Sequence, residues 1–99
     1  MMPKHEAIIS DLASDIVKAW VDWDNYRLKP RHNTIYLLRL HQRVLERAHS
    51  LLIWVHADEE IEAAKIAIIH HVTIAHSRHR HADEEVIAAI FAILEWEVT

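Results

Sequence analysis

A chain of 99 residues without a single glycine has few folds open to it. Glycine supplies the positive φ angles of tight turns, bulges and phosphate-cradling loops. Its absence removes the P-loop and the dinucleotide fingerprint. It also disfavours the short hairpins that link antiparallel strands. Helices joined by short polar connections are least troubled by this lack. Apolar residues make up 52% of the chain and charged residues 26%, a balance that belongs to a folded protein rather than a disordered one. At this length one domain is expected.

Cysteine is absent as well. Disulfides, thiolate nucleophiles, cysteine-ligated zinc and iron–sulfur clusters are therefore excluded. The opening residues, Met1-Met2-Pro3-Lys4-His5-Glu6, carry no apolar core of signal-peptide type. The longest apolar run, Val86 to Leu94, is less than half of the roughly 20 residues that span a bilayer. A soluble cytoplasmic protein with no membrane partner is expected.

The apolar spacing predicts four helices, over about 4–23, 34–55, 58–78 and 83–97, folded as a four-helix bundle of antiparallel hairpins. In the first, Ile9, Leu12, Ile16, Ala19, Trp20 and Trp23 make one stripe. Residues 24–32 form the long connection, ended by Pro30 and by Asn33 as N-cap. The second helix points Leu37, Leu38, His41, Val44, Leu45, Ala48, Leu51, Leu52 and Val55 inward. The third and fourth begin alike. Residues 56–69 and 81–94 agree at nine of fourteen positions, with Asp58 and Asp83 as expected N-caps. This is either a repeated helix pair or one good helix start used twice.

Charge is segregated along the chain. Residues 1–26 carry a net −3, residues 27–56 a net +5 and residues 57–99 a net −6. The basic second helix should lie beside acidic neighbours, which selects a topology more than it stabilises one. Arg39, Arg43 and Arg47 are spaced four apart on that helix, but in an acidic chain nucleic acid is not the expected partner.

Between Val86 and Leu94 no residue is polar, so the fourth helix is apolar in every direction. A helix of that kind is buried all round. Three companions in so small a unit would leave part of it bare. Self-association is expected through Ile87, Ile90, Phe91, Leu94 and Trp96, as a homodimer or higher homo-oligomer. The alternative places this helix at the centre of the monomer.

Ten histidines call for a reading. Imidazole is a common metal ligand. His76 and His79 have ligand spacing on one helix, but Arg78 and Arg80 crowd them. A zinc or haem site could instead be assembled from His41, His70 and His71, though no cofactor is required by any motif. Arg43 followed by His49 resembles the arginine-and-histidine pattern of the helical ribonucleases called HEPN domains. That resemblance implies Arg43 holding a phosphate and His49 moving a proton. It covers seven residues, and Val44 stands where those enzymes carry a polar side chain. No catalytic set is assigned. Trp20, Trp23, Tyr26 and Trp54 are expected in the core rather than around a cofactor.

The twin starts at Ala57-Asp58-Glu59-Glu60 and Ala82-Asp83-Glu84-Glu85, with the Ala/Ile-rich interiors that follow, resemble the idealised helices of computationally designed bundles. The resemblance covers about residues 56–96. It implies a structural or assembly role. A soluble helical module that forms a homo-oligomer is the leading functional expectation, ahead of a metal- or haem-binding bundle and of a small helical enzyme.

Overall fold

The computed structural model describes residues 3–75 and 83–97. Four helices, α1 (Pro3–Arg27), α2 (Thr34–Trp54), α3 (Asp58–Ala75) and α4 (Asp83–Leu94), form a bundle with no strand among the described residues. The directions alternate along the chain. His5 of α1 reaches Trp54 at the end of α2 and Glu60 at the start of α3. The C-terminal half of α1 lies beside the end of α3 and the start of α4. Around the bundle α1 neighbours α2 and α3, and α4 closes the far side against the same two helices. Helices α2 and α3 barely touch.

This arrangement makes α1 the pivot. Its buried residues, Ile9, Ala13, Ile16, Val17, Ala19 and Trp20, cover a wider arc than one stripe, because α1 packs on two long helices. The molecule measures 45 × 24 × 22 Å. An α-helix rises about 1.5 Å per residue, so α2 is about 31 Å long and α4 only about 18 Å. The fourth wall is therefore short.

Helix α1 continues past the expected end at residue 23. Asp24 lies inside it, fully buried, with its Oδ1 2.6 Å from Arg27 Nη2. The Arg27 guanidinium also sits 5.0 Å from the Trp23 ring centre. This pair and its aromatic cover hold the last turn in helical form. The following connection is built on Tyr26. Its hydroxyl accepts from the Asn33 backbone N–H at 2.7 Å, and its ring meets Tyr36 edge-on at 4.8 Å. Asn33 caps α2 as expected: its backbone is extended, and Oδ1 accepts from the Tyr36 N–H at 3.0 Å.

At the start of α3 the expected cap is displaced by one residue. Asp58 is the first helical residue, not the N-cap. The Ala57 carbonyl accepts from the N–H groups of Glu60 and Ile61, both at 3.0 Å. Glu60 reaches back so that Oε1 accepts from the N–H groups of Ala57 at 3.0 Å and His56 at 3.2 Å. This is the acidic half of a capping box, and it makes a side chain on Ala57 unnecessary. Asp83 opens α4 as its first residue; the residues before it, and the expected last turn of α3 at 76–78, lie outside the described residues.

Helix α4 stops at Leu94 rather than 97. Glu95 takes φ 61, the left-handed conformation that glycine would normally supply. The Trp96 N–H donates to the Phe91 carbonyl at 2.9 Å and the Glu95 N–H to that of Ala92 at 3.2 Å. This is a Schellman turn. Its customary apolar contact is present too, with the Phe91 and Trp96 rings 6.1 Å apart.

The expected bare surface on α4 is not found. Ile90, Phe91 and Leu94 are buried within the single chain, at 0%, 3% and 2% exposure, and Ile87 and Trp96 are half-buried. The outward face of α4 is occupied by Glu84, Glu85, Ala88 and Ala92. Alanine is apolar but small, so a helix without polar residues still exposes little greasy surface. Trp96 clamps the end of its own helix rather than standing out to anchor a partner. The repeat in sequence is also not a repeat in packing: Ile66 of α3 is 66% exposed, whereas its counterpart Phe91 is buried.

Candidate functional site

The most regular run of uncovered apolar residues lies on α2. Of the residues expected to point inward, Val44, Ala48, Leu51 and Val55 are buried and Leu37 is half-buried. Leu38, His41, Leu45 and Leu52 are exposed, and Leu40, which was not in the expected set, is buried instead. The helix turns about 100° per residue. Two apolar stripes on adjacent faces therefore read as one broad stripe in the sequence.

The outer stripe is regular. Ile35, Leu38, Gln42, Leu45, His49 and Leu52 follow one another at steps of three and four, and all six are exposed. Leu38 is 63% exposed and Ile35 64%. This is the heptad spacing that sets one helix against another. It is centred about 130° around the helix from Val44, so α2 presents one face to the core and a second to the outside. Arg39 and Glu46 flank the outer stripe on one side, seven residues apart and both exposed. The short α4 flanks its other side. The exposed Ile66, Ile69 and Ile74 on α3 share their face with Glu62, His70 and Thr73 and form no comparable run.

The arginine stripe of α2 also faces outward. Arg39, Arg43 and Arg47 are exposed, and none forms an ion pair with another described residue. Arg43 and His49 are both exposed but stand about 120° apart around the helix, since His49 lies six positions after Arg43. The structure does not bring the two together.

A cavity of about 430 Å³ opens between α1, α2 and α4. Trp20, Trp23 and His41 wall it on one side, with Ala89 and Ile93 opposite. The Trp23 ring lies 5.4 Å from His41 and 5.8 Å from Trp20. The four large aromatics do not share one pocket. Trp20 is core, Trp23 edges the cavity, Tyr26 orders the α1–α2 connection, and Trp54 lies at the opposite end against His5.

The histidines are dispersed. His41 packs on Trp23, while His70 and His71 sit on α3 with their rings 5.3 Å apart. Because α2 and α3 lie on different sides of α1, the expected trio of His41, His70 and His71 is not assembled. Among the described residues no group of three His, Asp or Glu has the arrangement of a metal site. His76, His79 and His81 lie outside the described residues. Burial pushes the His71 pKa below its ordinary value, and the nearby His70 and Lys18 push it the same way. Its Nε2 lies 3.4 Å from Ser10 Oγ.

His5 ties three helix ends together. Its Nε2 is 3.1 Å from the Trp54 carbonyl oxygen, and its Nδ1 is 2.9 Å from Glu60 Oε2. Both partners are acceptors, so the ring makes both bonds at once only with a proton on each nitrogen. The Ala57 N–H bond, aided by the His56 N–H and by His5 and His56 as neighbours, holds the Glu60 carboxyl below its ordinary pKa against a smaller opposing effect of burial.

Among the described residues no helix is long and apolar enough to cross a membrane. Comparison with protein-family models, with curated proteins and with solved structures returns no match for this chain.

Proposed function

We propose that the protein is a helical assembly module that associates with a second copy of itself through the outer stripe of α2. The observation that supports this reading is the run of six exposed positions at heptad spacing, four of them large aliphatics. Isolated exposed leucines are ordinary, but exposed aliphatics aligned along one helix face, broken only by Gln42 and His49, mark a place of contact. An exposed 3-4 repeat has a natural occupant, another helix carrying the same repeat. A second copy supplies it without any further component, and a twofold axis makes the surface complete itself. This reading puts the association surface on α2, where the sequence suggested α4.

Light scattering on the eluting peak of a sizing column tests this. At tens of micromolar the expected particle is a dimer of about 23 kDa, twice the 11.6 kDa of one chain. A particle of one chain mass across that range would refute the proposal.

A further inference from the structure

We infer that the two copies pair through α2 in antiparallel fashion, in the register that lays Ile35 against the partner's Leu52. This rests on the self-association proposed above and specifies its geometry. In an antiparallel helix pair the two kinds of seam position alternate across each layer, so residue numbers in a layer have a constant sum. One register overlaps the whole outer stripe of α2 end to end. It places Ile35 with the partner's Leu52, Leu38 with the partner's His49, and Gln42 with the partner's Leu45, each layer occurring twice about the axis.

That register has a consequence at the rim. Antiparallel pairing sets equivalent flanking positions against each other, and here Arg39 falls opposite the partner's Glu46, again twice. No adjustment is needed: the antiparallel register that overlaps the whole stripe also matches the charges. Parallel pairing would instead stack Gln42 on Gln42 and His49 on His49, and would set Arg39 near Thr34, with no carboxylate opposite. Antiparallel packing also runs the two helix dipoles in opposition. The core face of α2 stays on α1, since its buried residues are not in the seam.

The absence of cysteine makes the test clean. Ile35→Cys and Leu52→Cys are both at exposed positions and should leave the fold intact. Mixed in equal amounts and oxidised, they should form the 35–52 cross-link, while Ile35→Cys alone should not link. Efficient 35–35 linking would overturn the antiparallel register and leave self-association standing; a single-chain mass for the unmodified protein would overturn both. A charge exchange gives an independent readout. Arg39→Glu should weaken dimerisation about tenfold, and adding Glu46→Arg should restore it. Failure of the double exchange to recover affinity would count against the Arg39–Glu46 contact.

Discussion

Helices α2 and α4 exchange the roles that their sequences suggest. Helix α4 has an unbroken apolar run, yet Val86, Ile90, Phe91 and Leu94 are buried and Ile87 and Ile93 half-buried. Helix α2 is visibly amphipathic, and it leaves leucines in the open. The difference lies in residue size and helix length. Three of the nine residues from Val86 to Leu94 are alanine, and Ala88 and Ala92 face outward. Meanwhile α4 is too short to flank all of α2, whose second stripe borders it. Counting apolar residues overstates what α4 exposes and hides what α2 exposes. Area, not number, decides which surface needs a partner.

The sharpest contrast should appear in core substitutions. Phe91→Ala should cost about 3–5 kcal/mol of unfolding free energy and Ile90→Ala about 2–5 kcal/mol, from lost burial and the cavity left behind. Leu38→Ala, measured where the protein is a single chain, should cost about 0.5 kcal/mol or less. Urea titration compares them; equal losses would erase the distinction between the two helices. Next in size, Leu38→Glu combined with Leu45→Glu should abolish the dimer while leaving the monomer's melting temperature within a few degrees. Light scattering and circular dichroism read the two effects separately.

A smaller effect concerns the end of α4. Glu95 occupies a left-handed position at a cost of about 1 kcal/mol relative to a residue without a Cβ. Glu95→Gly should recover about 0.5–1 kcal/mol, seen as a raised urea midpoint. No gain would mean that the turn is not formed as described. The pH dependence is smaller and separates α3 from both. The His71 pKa is depressed in the fold, so the unfolded chain binds its proton first. Stability from this group is present above the ordinary value of 6.5 and falls as pH drops through the folded pKa. Glu60 acts in the same direction at lower pH, below its ordinary 4.5. His71→Gln should flatten the first part of the acid slope in thermal melts, and a slope unchanged by this substitution would exclude His71 as its origin.

The four helices and the Asn33 cap were readable because they rest on local signals: apolar periodicity, a proline, a capping side chain. The outer stripe of α2 was hidden by its own regularity. Leu38, Leu45 and Leu52 stand close enough in rotation to Ala48 and Val55 that the pattern reads as one wide inward face. Only the positions of α1 and α4 divide it. The extension of α1 to Arg27 was equally hard to read, since Asp24 looks like a turn residue until Arg27 and Trp23 are seen around it. The left-handed Glu95 carries no local sign, because glycine, the usual marker, does not occur in this chain. The separation of His41 from His70 and His71 is a matter of helix order around α1, which spacing along the chain does not encode.

The most direct test follows the methyl groups of both helices by NMR as the protein is concentrated. Signals of Leu38, Leu45 and Leu52 should shift with concentration, while those of Ile90 and Leu94 stay in place. Shifts confined to Ile90 and Leu94, with the α2 leucines unmoved, would contradict the account.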